Sequence, residues 1–169
     1  RKIMENIYRQ RENGLLEQIA YTDNLTELGN RYSLERVVKN NDIEKLSIVS
    51  MDLNYLKFTN DTFGHAGGDV LLKSAAVALK SVFEYVYRVG GDEFYAIMIS
   101  SDPDTQENTL KRFYDILEAK NKELNKEYRL HASIGIYTVP SSQADKSVEH
   151  LQVADKLMYE SKRKYKEEK

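Results

Sequence analysis

Cysteine is absent from the 169 residues. That excludes disulfides, zinc–thiolate sites and thiol nucleophiles, and it accords with a reducing compartment. Long apolar runs are missing too, and none approaches the ~20 residues that a membrane-spanning helix requires. The opening Arg1-Lys2-Ile3-Met4-Glu5-Asn6 lacks both the apolar core and the small-residue cleavage site of a secretory leader. Since no initiator methionine begins the chain, the expectation is a cytoplasmic fragment, or the cytoplasmic part of a larger, membrane-bound protein. A surplus of positive charge is also lacking: the formal net charge is -2 and the sequence pI is near 6.0. General nucleic-acid binding is therefore not expected, and any basic site must be local.

What is present suffices for one core. Hydrophobic residues make up 41% of the chain, and a chain of this length forms one domain with appendages. From Arg1 to Ala20 there is no proline, and apolar residues recur at Ile3, Met4, Ile7, Leu15, Leu16 and Ile19, which predicts a helix. Arg9 to Gly14 interrupt the stripe, so a long coiled coil is not expected; a short dimerising stub and a solvated linker helix both fit. The expected division is a linker or signalling helix over 1–21 and a catalytic domain over 22–169.

Beyond the polar turn cluster Asp23 to Asn30, a helix is expected from Arg31 to Lys39. Leu46 to Asp52 is a short, mostly apolar run ending in an acid, which predicts a central strand that delivers a carboxylate to a sheet edge. A turn or short helix follows to Asn60, and after the break at Asp61 to Gly64 a helix runs to about Val82. Tyr85–Val89 and Glu93–Ile99 read as strands joined at Gly90-Gly91-Asp92, a hairpin signal that suits a type I′ turn. Phe94, Ala96 and Met98 alternate with Tyr95, Ile97 and Ile99, so both faces of the second strand are expected to be covered. Asp102-Pro103 opens a helix to about Asn125 with Leu110, Phe113, Ile116 and Leu117 as its buried stripe. A strand over Arg129–Val139, a loop over Pro140–Asp145 and a helix from Ser147 to about Tyr165 complete an α/β sandwich with a mixed sheet.

By itself the hairpin is a turn with an acidic tip. Asp52 changes its meaning, because carboxylates at a strand end and a hairpin tip on adjacent strands can share a metal. Hard oxygen ligands without His or Cys favour Mg2+ or Mn2+, the ions that stabilise charge on a triphosphate during in-line displacement. Lys162 and Lys166 lie four apart on one face of the last helix and read either as phosphate ligands or as a solvated basic tail near the helix dipole.

Gly90-Gly91-Asp92-Glu93-Phe94 resembles the signature of GGDEF domains, the bacterial diguanylate cyclases. Asp23 to Arg31, Met51 to Asp69, Ser133-Ile134-Gly135-Ile136 and Ala154 to Lys162 resemble that family's other motifs, in its order, over roughly residues 23 to 166. The resemblance implies a palm-like sheet with a ferredoxin-like core flanked by helices, as in nucleotidyl cyclases. It implies that two GTP molecules are joined into cyclic di-GMP with loss of pyrophosphate. Each domain of a facing homodimer would hold one GTP, with two Mg2+ or Mn2+ ions per GTP as the resemblance implies.

Residue by residue, the resemblance makes Asp52, Asp92 and the Leu53 carbonyl metal ligands, with Glu93 supporting the metal site or deprotonation of the ribose 3′-hydroxyl; the general base stays unassigned. Backbone N–H groups from Leu53 to Lys57 would meet the phosphates, with charge from Lys57, Lys162 and Lys166. The family usually has arginine at the position of Lys166, and lysine exchanges a planar bidentate donor for a point charge. Asp69 takes the guanine-reading position, supplemented by the Asn60 amide. A carboxylate there accepts from guanine N1–H and the exocyclic amine, and such sites reject analogues by roughly 10⁴ or more. Gly90, Gly91, Phe94, Arg88, Gly64 and His65 are expected in turn or packing roles, and His131 and His150 receive no chemistry. Where family members carry an Arg-x-x-Asp product-inhibition motif, this chain has Ser81-Val82-Phe83-Glu84, so feedback through that site is not expected. A catalytically silent domain that binds GTP or a partner is the alternative, and an adenine-containing product is disfavoured by Asp69. An upstream sensor would act through the N-terminal helix.

Overall fold

The computed structural model describes residues 2–40, 46–140 and 147–168. The expected loop at Pro140–Asp145 lies, beyond Pro140, outside the described residues. Among the described residues nine elements follow one another: α1 (Lys2–Tyr21), α2 (Arg31–Asn40), β1 (Ser47–Leu53), α3 (Leu56–Val82), β2 (Tyr85–Gly90), β3 (Glu93–Met98), α4 (Pro103–Glu123), β4 (Ala132–Thr138) and α5 (Ser147–Glu167).

The strands form one sheet in the order β2-β3-β1-β4, and every neighbouring pair is antiparallel. The helical crossovers join strands that run the same way, yet β3 is inserted between β1 and β2, and β1 between β3 and β4. This is the split βαβ pattern of a ferredoxin-like core. Parallel pairing among the described residues is confined to the isolated bridge of Gly29 with Tyr87, so the mixed character expected of the sheet reduces to that contact.

Side-chain alternation decides which residues meet the active face. Val49, Met51 and Leu53 of β1, with Phe94, Ala96 and Met98 of β3, pack against Leu71, Ala75, Leu79, Phe113 and Leu117 of α3 and α4. The other parity, Ile48, Ser50 and Asp52, therefore faces the side covered by α2 and α5, where Ile48 meets Val139 and Ala154. All seven residues of β1 are buried, as a central strand covered on both faces requires. Burial of β3 on both faces stops with the strand: Ile99 lies beyond Met98 and is 69% exposed.

α5 lies directly on β4. A Cβ at Gly135 would overlap the α5 backbone at Leu157 and Met158, so only glycine permits this approach. α3 is helical on both sides of Gly64, whose φ of 74 and ψ of 175 kink it, in agreement with the break expected there. α4 begins as its sequence predicts: Pro103 occupies the first turn, and the Asp102 carboxylate accepts from Thr105 N–H at 2.9 Å. β4 is shorter than expected at its start. The Asn121 side chain brackets Leu130, donating to its carbonyl at 2.8 Å and accepting from its N–H at 2.7 Å, and this replaces a strand ladder there.

Leu15, Leu16 and Ile19 of α1 are all more than half exposed. The end of the helix is tied to the domain where the Tyr21 ring lies 5.3 Å from Tyr32 and beneath Arg36 at 5.1 Å.

Candidate active site

Asp52 is the next-to-last residue of β1, in register with Glu93 of β3 on one side and Ser133 of β4 on the other. It is 8% exposed. Its parity turns it toward α5, where Lys162 Nζ stands 2.9 Å from Oδ1. Asp52 Oδ1 is buried, and beyond this ion pair it has no well-formed hydrogen bond among the described residues. Burial pushes the Asp52 carboxyl up to about 6; Lys162 opposes that rise, while the adjacent Asp92 carboxylate reinforces it. The site thus holds two crowded carboxylates with one lysine between them and solvent.

The hairpin tip is fixed from two sides. Leu53 N–H donates to the Asp92 carbonyl at 3.2 Å, which joins the end of β1 to the turn. Arg88 donates from Nε and Nη2 to the Gly91 carbonyl at 3.0 and 2.9 Å, and from Nη1 to Asp23 at 3.0 and 3.1 Å. Burial alone would raise the Asp23 carboxyl, but hydrogen bonds from Thr26 and the Arg88 guanidinium outweigh it and hold the group below its ordinary value. Arg88, expected in a structural role, is therefore the strut of the hairpin turn. The turn is not type I′, which needs positive φ at both central residues. Gly91 has φ 46, but Asp92 does not share it, and a bulge at Arg88/Gly90 supplies the remaining twist.

Whether these groups suit a divalent cation follows from the donor set. No three His, Cys, Asp or Glu side chains among the described residues gather to hold an ion alone. Asp52 and Asp92, with the Leu53 carbonyl, make a hard oxygen set with an unsatisfied buried acceptor. That fits Mg2+ or Mn2+, which take few protein ligands and complete their shell with water and substrate phosphates.

Beside Asp52 a cavity of about 240 Å³ is lined by Asp52, Tyr159, Lys162, Arg163 and Lys166. It gathers both expected lysines with one carboxylate. It also adds Arg163 and Tyr159, which the spacing of 159, 163 and 166 on one helical face signals in the sequence. A larger cavity, about 600 Å³, lies at the root of the hairpin between Asn30, Tyr32 and Arg88 and contains neither metal-ligand candidate.

Fewer N–H groups are open to a phosphate than the sequence suggests. Leu53 N–H is taken by the Asp92 carbonyl, and Asn54 N–H by the His131 carbonyl at 2.9 Å. That leaves the first turn of α3, at Leu56, Lys57 and Phe58, whose N–H groups have no helical acceptor and whose preceding Tyr55 gives no side-chain cap. Asn60 sits in the first half of α3 and Asp69 in the second, beyond the Gly64 kink. A Cβ at Gly68 would overlap Asn60 Oδ1, so the Asn60 amide packs against the backbone next to Asp69. The kink and this glycine bring the two expected base-reading residues into one neighbourhood. Lys57 and Lys166 are exposed, and so is His65 just after the kink. Phe94 is fully buried and anchors β3 in the core. At the position of the product-inhibition motif, Ser81 stands in the last turn of α3 and its carbonyl accepts from Arg112 at 3.0 Å.

Comparison with known proteins agrees with this geometry. The family described as "Diguanylate cyclase, GGDEF domain" matches residues 20–168. The chain is 30% identical over 161 residues to the bifunctional diguanylate cyclase/cyclic di-GMP phosphodiesterase MucR of Pseudomonas aeruginosa, covering 90% of this chain and 23% of that protein. It is 33% identical over 125 residues to diguanylate cyclase A of Treponema denticola, covering 70% of this chain and 33% of the other. It therefore spans a third or less of the length of these relatives. In structure it is similar to the coiled coil and GGDEF domain of DgcB from Caulobacter crescentus, solved in complex with c-di-GMP. The TM-score is 0.77 at 24% identity, over 96% of this chain and 91% of that one.

Proposed function

Because the chain belongs to the GGDEF family of diguanylate cyclase domains, we propose that it condenses two GTP molecules into cyclic di-GMP, releasing two pyrophosphates. Each domain binds one GTP and two domains face each other in a homodimer, since the product has two identical halves. The observation that carries this reading is the placement of buried Asp52 beside Asp92 and Glu93, with Lys162 and Lys166 on the open side.

Asp52, Asp92 and the Leu53 carbonyl hold the divalent cation, Mg2+ or Mn2+, with two ions for each GTP. Bound metal supplies charge neutralisation on the triphosphate and acidifies the attacking 3′-hydroxyl. The protein does the rest by positioning. N–H groups of the first turn of α3 orient phosphate oxygens with the helix dipole behind them, and Lys57 adds charge at the rim. Lys162 and Lys166 hold the outer phosphates from α5. Asp69 accepts from guanine N1–H and its exocyclic amine and Asn60 completes the reading; adenine presents an acceptor at N1 and leaves that carboxylate unpaired. Glu93, opposite Asp52, supports the metal site or the departing proton.

α1, with its exposed Leu15, Leu16 and Ile19, brings two copies together on behalf of an upstream sensor, since tethering raises effective concentration. GTP as substrate places the domain on the cytoplasmic side.

The test is the purified chain, alone and fused to an artificial dimeriser, incubated with Mg2+ and GTP or ATP, the products being resolved by chromatography beside an Asp92→Ala control. Cyclic di-GMP from GTP alone, lost in the control, is the expected outcome. No product from the dimerised chain, with GTP still bound, would establish the silent, regulatory reading instead.

A further inference from the structure

The turn from β1 into α3 and the end of α5 carry the two halves of the proposed phosphate site, and a cluster of side chains ties them together. Tyr55, the residue before α3, has its hydroxyl 2.6 Å from that of Tyr165, which lies between Lys162 and Lys166 on α5. The Tyr165 ring stacks on His131 with centroids 4.1 Å apart and planes 15° from parallel. His131 meets the Tyr55 ring edge-on at 6.4 Å, and Arg129 covers the same ring at 5.6 Å. Asn54 completes the connection: its Nδ2 donates to His131 Nδ1 at 2.6 Å and to Ser133 Oγ at 2.9 Å, and Ser133 Oγ donates back to Asn54 Oδ1 at 3.1 Å.

This arrangement has a mechanical meaning. The last turn of an exposed helix frays unless something holds it; Lys166 stands on that turn and Lys162 one turn before it. The first turn of α3 grips phosphate oxygens only at a fixed spot. A ligand that touches both therefore needs the two elements at a set separation, whereas a ligand that touches only one does not. A nucleoside triphosphate carries outer phosphates for the lysines as well as an inner one for the helix turn, whereas a monophosphate carries a single group.

We propose that Tyr55, His131, Tyr165 and Asn54 form a positioning clamp that sets the separation between the first turn of α3 and the lysines of α5, so that the site selects nucleotides by phosphate length. None of the four touches the reacting atoms; they act through the N–H groups and the lysines. The clamp rests on the reading of the site as a GTP site.

The experiment measures calorimetric binding of α,β-methylene GTP, which cannot lose pyrophosphate, and of GMP, both with Mg2+, to the full chain. It compares Tyr55→Phe, Tyr165→Phe, their double mutant and His131→Asn, which keeps an acceptor for Asn54 but loses the stacked ring. The phenylalanine variants keep every ring and lose one hydrogen bond, so they fold. Expected for each is about a 5-fold loss for the triphosphate, the size of a single hydrogen bond, with GMP and free Mn2+ binding unchanged. The double mutant is no worse than either single, because both remove the same bond. In turnover the loss lies in KM, with kcat held within about twofold.

Parallel losses for GTP analogue and GMP, or unchanged triphosphate affinity, would overturn the clamp while leaving the GTP site standing. A wild-type chain that binds no GTP analogue overturns the reading of the site, and the clamp with it.

Discussion

Lys162 holds its ammonium 2.9 Å from the buried Asp52 carboxylate, the group proposed here as a metal ligand. In the metal-free chain the lysine is the counter-ion. On the proposed reading, a metal bound with a triphosphate would take over that charge and leave the lysine to the phosphates. Lysine suits this exchange, being a flexible point charge where arginine would be a rigid fork.

Replacing Lys162 with methionine should therefore act in opposite directions on two ligands. Free Mn2+, measured by electron paramagnetic resonance, should bind more tightly to Lys162→Met than to the wild type, because a competing cation is gone. Mg2+-GTP should bind about tenfold more weakly through loss of a charge-assisted contact. A parallel fall in both affinities would show that Lys162 merely supports the fold.

Asp52 makes the metal-free protein sensitive to pH. Its carboxyl is raised from 3.8 to about 6 by burial and by Asp92, so between those values the folded state binds more protons than the unfolded chain. The stabilisation this gives is fully present below 3.8 and is lost as pH rises through about 6. Asp52→Asn, without metal, should melt above the wild type at pH 7.5, and that advantage should vanish by pH 4. Thermal denaturation across that range checks both ends. Metal affinity should decline in the wild type below about pH 6, as the ligand protonates.

Gly68→Ala should separate base recognition from metal binding. The added Cβ collides with the Asn60 amide, and forcing extra volume into such a contact costs about 1–3 kcal/mol. Binding of the GTP analogue should weaken, and its preference over the ATP analogue should shrink, while free Mn2+ binding stays as in the wild type. Competition binding with the two nucleotides measures this directly.

Arg88→Ala should loosen the hairpin tip. It leaves the Gly91 carbonyl without its donor and Asp23 without its cation, and removing one partner of a largely buried pair costs about 3 kcal/mol. Because the Asp23 carboxyl is held low, its contribution is present above 3.8 and is lost as pH falls through its folded value. The stability gap between wild type and Arg88→Ala, read from urea denaturation, should narrow in acid.

The parts of this molecule that local pattern controls were legible in the sequence. The apolar run before Asp52 is a central strand, the Gly-Gly-Asp stretch is a hairpin, and Gly64 breaks α3. Parity along β1 and β3 then puts Asp52 and Glu93 on one face. What escaped depends on partners distant in the chain. That Leu53 and Asn54 spend their N–H groups on Asp92 and His131 follows from strand pairing, not from their own neighbours. The turn type escaped because the bulge at Arg88/Gly90 absorbs twist that a two-residue loop would otherwise need. His131 looked chemically idle because its partners, Asn54 and Tyr165, lie on other elements, and Tyr165 is itself paired with Tyr55 across a separation of 110 residues.

The close seat of α5 on Gly135 gives the chain an order of assembly. Asp52 and Asp92 are synthesised well before the helix that carries Lys162, and contacts of such long range are the slow ones to form. Until α5 leaves the ribosome and docks, the sheet holds Asp52 and Asp92 with no lysine opposite them, and its β4 face lacks a cover. A nascent chain at that stage is exposed to aggregation. Asp52 and Lys162 therefore meet only once α5 has closed over the sheet.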